Sequence, residues 1–121
     1  MPRRILSIST NYGLLITRND LLAVAGYSAA SPRLPENAGL LFSKDKFDAV
    51  LIGDSIPPPQ RRRIIAELRD QDENVPILYV YADVANASEP LADQCVDVSG
   101  DPEPLLNAIE THINRNLRRA A

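Results

Sequence analysis

The segment FDAVLIG, residues 47–53, restricts the fold more than any other part of the sequence. Apart from Asp48 near its start, it offers no polar side chain that would face water. Continuous apolar strands of this kind lie at the centre of a parallel sheet whose two faces are covered by helices. The segment therefore predicts a buried parallel strand, and with it a protein of the α/β class.

Apolar segments and amphipathic helical segments alternate along the chain, with no internal repeat and no linker. This alternation is typical of α/β folds built from right-handed crossovers, with helices on both faces of the sheet. Residues 84–94 are interrupted by Pro90 and are predicted to hold at most a short, poor helix. The predicted strands cover residues 4–9, 27–31, 47–53, 76–82 and 95–99, and the predicted helices cover 12–26, 36–44, 58–71 and the chain after Asp101.

Start and stop residues mark two of the helices. Gly26 is a stop signal for the first helix. Asp101 is the predicted N-cap of the last helix, with Pro102 at its first position. The inward stripe is predicted to be Leu14, Leu15, Leu21, Leu22 and Ala25 in the first helix, and Leu106, Ile109, Ile113 and Leu117 in the last.

The length of 121 residues indicates one domain, residues 1–121, with a core over about residues 3–117 and a basic tail at 118–121. A net charge of −3 and a pI near 5.1 argue against a nucleic-acid partner. The arginines at 61–63 and in the tail are interpreted as solvated helix surfaces.

No apolar run approaches the roughly 20 residues that a membrane helix needs. The N-terminus lacks the features of a secretory signal, so we expect no membrane partner and a cytoplasmic location. The single cysteine, Cys95, excludes an internal disulfide and a multi-cysteine zinc site.

Polar residues follow four of the predicted strands. In open parallel sheets, ligand sites lie beyond the carboxyl ends of the strands, where the strand order reverses. A functional site is therefore expected among these strand ends, which carry the tripeptides STN (9–11), GDS (53–55), YAD (81–83) and SGD (99–101).

The order and lengths of the segments resemble a response-regulator receiver domain, the CheY-like, flavodoxin-like module of two-component signalling. The resemblance covers about residues 3–117 and implies a doubly wound five-stranded parallel sheet in the order 2-1-3-4-5. It is carried by RILSIS, LLAVAGY, FDAVLIGDSIP, LRDQDENVPILYVYA and DPEPLLNAIETHI.

A receiver of this kind holds Mg²⁺ on two acidic residues after its first strand and accepts a phosphoryl group on an aspartate that ends its third. A Thr or Ser ends the fourth strand and a Lys ends the fifth. The metal and the lysine neutralise charge on the phosphoryl group as it is transferred. The resemblance places Ser9, Thr10, Gly53, Tyr81 and Ser99 at these positions, which predicts a degenerate receiver with no metal site, no cofactor and no catalytic residue.

Asp54 is the acidic residue nearest to the acceptor position. Counted from Phe47, the acceptor position falls on Gly53, whereas counted backwards from Pro58 it falls on Asp54. A one-residue bulge at Gly53 would reconcile the two counts. Without a bulge, Asp54 points away from the direction of Gly53, because successive side chains of a strand alternate. We interpret Asp54 as a turn or helix-capping residue, with an unconventional phosphoacceptor and another polar role as the alternatives.

Three other residues carry chemistry in principle. Tyr81 either fills the emptied acceptor pocket with its ring or simply packs. Cys95 opens the fifth strand and is interpreted as a small buried residue. His112, the only histidine, is predicted to lie on the surface of the last helix, where no triad forms around it.

Three functions remain open from the sequence. The first is a stand-alone, non-enzymatic signalling module that binds a protein partner (a histidine kinase-like or other signalling protein) or a second copy of itself through the last helix and fifth strand. The second is a phosphoacceptor response regulator that uses Asp54. The third is a module that binds a small anion or metabolite at the strand ends, where helix N-termini favour negative charge.

Overall fold

A computed structural model describes residues 2–120 of the chain. Five parallel strands form one sheet in the order β2-β1-β3-β4-β5, which confirms the predicted flavodoxin-like, doubly wound sheet. The strands are β1 (Arg4–Ile8), β2 (Ser28–Ala30), β3 (Ala49–Gly53), β4 (Ile77–Tyr81) and β5 (Gln94–Asp97).

Within residues 2–120, four helices cover the two faces of this sheet. α1 (Tyr12–Val24) and α4 (Glu103–Ala120) pack on one face, called here the α1/α4 face. α2 (Ala38–Lys44) and α3 (Pro58–Gln71) pack on the other, the α2/α3 face. Short 3₁₀ turns occupy Pro35–Asn37 and Val84–Asn86. Within residues 2–120, no helix combines the length and the apolar character needed to span a bilayer.

β3 lies at the centre of the sheet, between β1 and β4, and all five of its residues are buried. Its side chains alternate between two apolar cores, as the pleat of a strand requires. Val50 and Ile52 pack on the α2/α3 face, whereas Ala49 and Leu51 pack on the α1/α4 face. The unbroken apolar character of the segment is therefore explained by helices on both sides.

The end of α1 agrees with the sequence, but its inward side agrees only in part. Gly26 has a φ of 95°, which only glycine adopts readily, and it terminates the helix as predicted. Leu15 and Leu22 are buried. Leu14 is 51% exposed and Ala25 is exposed, so the predicted stripe was too wide.

α4 begins at Glu103, one residue after the predicted first position, Pro102. Asp101 still acts as a capping side chain, because its Oδ1 accepts a hydrogen bond of 3.2 Å from the Glu103 N–H. The helix continues through Arg118 and Arg119, which the sequence placed in a tail; residue 121 lies outside the described residues. The buried residues of α4 are Leu105, Ala108, Ile109 and Ile113; Leu106 is partly buried and Leu117 is 42% exposed.

Candidate functional site

The carboxyl ends of the central strands meet at one edge of the sheet. β2 lies on one side of β1, and the chain then crosses back so that β3 lies on the other side of β1. The strand order therefore reverses between β1 and β3. Open parallel sheets bind ligands at this position. The loops that follow β1 and β3 face each other there and are joined by side-chain hydrogen bonds.

Gly53 ends β3 without any bulge. The pairing with β4 runs uninterrupted from Val50 opposite Ile77 to Gly53 opposite Val80. The extra residue that would bring Asp54 into the acceptor register is therefore absent. By the alternation of the strand, position 53 faces the α1/α4 side of the sheet.

The space beside Gly53 is bounded by β1 and by one side chain of α1. A β-carbon added at Gly53 would lie 3.5 Å from the Ile8 carbonyl oxygen, 3.6 Å from Ser9 Oγ and 3.7 Å from Arg18 NH1. These are ordinary van der Waals distances, so the backbone leaves room for a side chain. The guanidinium group of Arg18 lies next to this space.

Asp54 follows Gly53 and connects β3 to the end of β4. Its N–H donates to the Val80 carbonyl at 3.1 Å, and its Oδ2 accepts from the Ala82 N–H at 3.2 Å. It caps no helix, since the residue before α3 is Pro57. Asp54 is half-buried and is a turn residue, one of the two structural roles that the sequence suggested.

Hydroxyl groups follow β1, at the positions where the resemblance implies an acidic pair. Ser9 Oγ lies 3.0 Å from Ser55 Oγ, and Thr10 donates both its N–H (3.1 Å) and its hydroxyl (3.3 Å) to Ser55. The Asn11 N–H donates to Ser9 Oγ at 3.0 Å. These groups satisfy one another and fasten the β1–α1 loop to the β3–α3 loop.

Tyr81 lies on the opposite side of the sheet from the space beside Gly53. Its ring packs against Tyr79 on the α2/α3 face, with ring centroids 6.1 Å apart. Tyr81 therefore simply packs, as one of the two alternatives held, and its ring does not fill the space beside Gly53.

Ser99 binds within its own loop. Its N–H and its hydroxyl donate to Asp97 Oδ1 at 2.8 and 2.6 Å. The hydroxyl bond, followed by the N–H bond, lowers the pKa of Asp97 below its ordinary value. Ser99 is exposed and contributes to the stability of the loop after β5.

Cys95 and His112 lie on the β5 side of the molecule, away from the crevice. Cys95 is partly buried, and its Sγ lies 3.7 Å from the Glu89 carbonyl oxygen. His112 Nε2 lies 2.9 Å from Gln94 Oε1 and links α4 to β5. Burial lowers the pKa of His112, the charge of Asp93 opposes that shift, and the charge of Arg115 adds to it.

Arg18 is the charged residue of the site that sequence patterns did not reveal. Its NH1 atom is buried and has no hydrogen-bond partner among the described residues. Burial lowers the pKa of Arg18 from its ordinary value, and the negative charge of Asp54 opposes this shift. The sequence feature that could have revealed its position is helical spacing, because Arg18 is four residues after Leu14 and four before the buried Leu22.

A cavity of about 200 Å³ opens beside Arg18, between α1 and the loop that leads to α4. Arg18 and Asp54 supply its charged groups, and most of the other lining side chains are apolar. It lies on the α1/α4 side of the strand ends, where position 53 also points. Asp54 therefore reaches the same side as position 53, and the expectation that it points away was wrong.

A second arginine, Arg61, is buried on the other face, which contradicts the solvated surface that we expected at residues 61–63. Its Nε donates to Glu89 at 2.7 Å, its NH1 donates to the Ile56 carbonyl at 2.9 Å, and its guanidinium carbon lies 4.5 Å from the Tyr79 ring centroid. Arg62 and Arg63 are exposed as predicted. Arg61 lies on the inward side of α3 with Ile64, Ile65 and Leu68. Its position on the helix, and not the polarity of its side chain, therefore determines its burial.

Glu89 anchors the segment between β4 and β5, where a full helix is absent as predicted. Glu89 is 2% exposed, and its carboxylate also accepts from the Leu91 N–H at 3.2 Å. Burial alone would raise the pKa of Glu89, but hydrogen bonds from Arg61 and Leu91 and the charges of Arg61 and Arg62 hold it below the ordinary value. Buried hydrogen bonds thus replace helical packing in this segment.

Several solved structures with the same architecture are response regulators or receiver domains. The CheY-like response regulator receiver domain protein of Methanospirillum hungatei is 15% identical, with a TM-score of 0.84, and the match covers 98% of this chain and 99% of that chain. The response regulator TrrA of Thermotoga maritima, solved with Mg²⁺ and beryllofluoride, is 19% identical, with a TM-score of 0.80 and coverage of 91% and 98%. The chain has the receiver-domain fold.

Chemotaxis protein CheY4 of Vibrio cholerae gives a third receiver-fold match, 17% identical with a TM-score of 0.78 over 92% of this chain and 98% of that chain. No protein-family model matches the sequence, and no curated protein does. The receiver fold is therefore shared with these structures at low sequence identity.

The carboxylate chemistry implied by the receiver resemblance does not fit this edge of the sheet. Hydroxyls that bind one another lie where the resemblance implies the acidic pair, and Gly53 lies where it implies the acceptor. Over residues 2–120, no three His, Cys, Asp or Glu side chains come together in a group suited to a metal ion. The residues therefore do not fit Mg²⁺, which prefers carboxylate oxygens.

Proposed function

We propose that the protein is a non-enzymatic signalling module with the receiver fold, which acts through protein contacts and without Mg²⁺-dependent phosphorylation of an aspartate. The observation that carries this proposal is Gly53 at the end of β3, in uninterrupted register and with Arg18 NH1 beside it. An acceptor carboxylate is missing from the position where the resemblance requires it.

The surroundings of Asp54 support the same proposal. Phosphoryl transfer depends on positioned cations that neutralise charge on the transferred group. TrrA, with this fold, was solved with Mg²⁺ and beryllofluoride. Here Ser9 and Thr10 are engaged with Ser55, and Asp54 binds the backbone of Ala82. Asp54 thus lacks the carboxylate partners that would hold a metal ion beside it.

Phosphorylation of Asp54 is tested directly by intact-mass spectrometry. The protein is incubated with acetyl phosphate and Mg²⁺, and the same treatment of a phosphorylatable receiver serves as the positive control. We expect no gain in mass. A gain of one phosphoryl group that disappears in Asp54→Asn would overturn the proposal in favour of a phosphoacceptor response regulator.

We further propose that the partner, a histidine kinase-like or other signalling protein or a second copy of the chain, binds the surface formed by β5 and α4. On this surface His112 contacts Gln94, and the exposed Arg115 lies beside His112 and Asp93. Sedimentation equilibrium distinguishes the two kinds of partner. A dimer that Arg115→Asp converts to a monomer indicates a second copy, a monomeric wild type rules out a second copy as the partner, and a dimer that Arg115→Asp leaves intact contradicts this surface.

A further inference from the structure

The cavity beside Arg18, called here the Arg18 cavity, combines two opposite charges with an apolar wall. Its volume of about 200 Å³ lies below the roughly 300–1,000 Å³ of sites for drug-sized ligands, so it suits a small molecule. The apolar wall consists of Leu14 and Leu21 of α1, Val98 after β5, and Pro102 and Leu105 at the start of α4.

The charged groups of the Arg18 cavity do not satisfy each other. Arg18 NH1 has no hydrogen-bond partner within residues 2–120, so Asp54 does not bind it. Buried polar groups are nearly always hydrogen-bonded, and an unpaired one calls for an explanation. Asp54 uses its Oδ2 for the Ala82 N–H, and a carboxylate has further lone pairs with which to accept from a ligand.

The pairing of charges selects the class of ligand. The NH1 atom is itself buried, so a carboxylate in the cavity would pair with the part of the guanidinium that lines it, since arginine and carboxylate form strong charge-assisted hydrogen bonds. A simple anion such as phosphate would also meet the negative charge of Asp54, which opposes its binding. A ligand that carries an ammonium group beside its carboxylate would meet a complementary charge at both residues. An apolar side chain on that ligand would cover the apolar wall.

We propose that the Arg18 cavity binds a free α-amino acid with an apolar side chain, with its carboxylate on Arg18 and its ammonium group toward Asp54. The apolar side chain packs between α1 and the start of α4. This inference rests on the proposed function in one respect, because it supplies an input for a module that lacks a phosphoacceptor. The binding and phosphorylation experiments have separate readouts, so either proposal can fail while the other stands.

Calorimetric titration of the full chain with leucine tests the proposal, with isoleucine and phenylalanine as further probes. Three analogues dissect the charges: 4-methylpentanoate lacks the ammonium group, 3-methylbutylamine lacks the carboxylate, and inorganic phosphate is a simple anion. We expect at least one of the amino acids to bind and the three analogues to bind at least about tenfold more weakly, the equivalent of 1.4 kcal/mol. Equal binding of 4-methylpentanoate, or binding of phosphate alone, would overturn the assignment of the ligand.

Variants locate the binding site. Arg18→Met and Asp54→Asn are each expected to weaken amino-acid binding at least about tenfold. Arg63→Met, which removes an exposed arginine of α3, is the matched control and is expected to bind as the wild type does. Binding that survives both Arg18→Met and Asp54→Asn would overturn the site, and failure of all three amino acids to bind at millimolar concentrations would overturn the proposal as a whole.

Discussion

Arg18 and Arg61 enter opposite faces of the same sheet, and their surroundings differ. Arg61 bonds to Glu89 and to a backbone carbonyl and lies over the ring of Tyr79. Arg18 places its NH1 in the protein without a partner among residues 2–120. A buried guanidinium whose hydrogen bonds are satisfied holds structure together. One that is unsatisfied beside a cavity marks a place where another molecule can complete it.

The two sites also differ in their relation to what the receiver resemblance implies. The Arg61–Glu89 pair fastens the segment between β4 and β5 in the absence of a full helix, with the Tyr79 hydroxyl donating to the Asn86 carbonyl at 2.6 Å nearby. Arg18 lies beside Gly53, where the resemblance implies an acceptor carboxylate. The Arg61–Glu89 pair is hydrogen-bonded and has a structural role. The Arg18 guanidinium, in contrast, keeps an NH1 that is unpaired among the described residues, beside a cavity.

The largest expected effect is the loss of Glu89. Glu89→Ala leaves Arg61 buried without its carboxylate, and removing one member of a buried ion pair costs about 3–5 kcal/mol. We expect the free energy of unfolding, measured with urea, to fall by that amount.

Two further variants control this experiment. Glu73→Ala removes an exposed carboxylate and is expected to change the free energy of unfolding by less than about 0.5 kcal/mol. The double variant Arg61→Met with Glu89→Leu is expected to recover most of the loss, because well-packed apolar residues replace buried ion pairs with little cost. Equal losses in Glu89→Ala and Glu73→Ala would show that the pair is not structural.

A smaller effect is expected when Arg18 is given a partner within the chain. Gly53→Asp places a carboxylate beside the guanidinium, where the backbone leaves room for the β-carbon. In the Arg18→Met background the same aspartate is buried without a partner. A double-mutant cycle by urea unfolding is expected to give a favourable coupling of about 1–3 kcal/mol between the two positions.

Arg18→Met alone provides the contrast with Glu89→Ala. It removes a guanidinium whose NH1 is unpaired, so we expect the free energy of unfolding to stay within about 1 kcal/mol of the wild type, in either direction. As a control, Gly53→Asp is combined with Arg63→Met, and these distant changes are expected to add within about 0.5 kcal/mol. The same coupling with Arg63 as with Arg18 would contradict the geometry beside Gly53.

The fold was predictable from the sequence because apolar patterns report burial. The segment 47–53 is apolar on both sides, and β3 is buried on both sides. The alternation of strands and helices gave the α/β class, and the order of the sheet came from the resemblance to a receiver domain. Helix ends were displaced by a residue or two, as at Pro102, because caps and first turns differ little in composition.

The charged residues of the two sites were harder to predict, because polarity in a sequence suggests exposure. Arg61 follows the inward stripe of α3 but was assigned to the solvent, since its partner Glu89 is 28 residues away in the chain. Arg18 lies among Thr17, Asn19 and Asp20, and nothing in its neighbourhood indicates that position 53 lacks a side chain beside it. Long-range pairing of this kind becomes visible only in three dimensions.

The smallest expected effect is the dependence of the Glu89 contribution on pH. The pKa of Glu89 is lower in the folded protein than the ordinary value of about 4.3 that applies to the unfolded chain. The unfolded state therefore binds the proton first, and the stabilising contribution is complete above about pH 5 and is lost as the pH falls through the folded-state pKa.

Glu89→Gln isolates this contribution, because all other carboxylates titrate in both proteins. The difference in the free energy of unfolding between the wild type and Glu89→Gln is expected to be constant from pH 7 to about pH 5 and to shrink at lower pH. Protonated Glu89 would leave Arg61 without a charged partner, so acid makes the environment of Arg61 more like that of Arg18. A difference that stays constant to pH 3 would mean that the Glu89 carboxylate contributes no pH-dependent stability, and the contrast between the two arginines would then rest on hydrogen bonding alone.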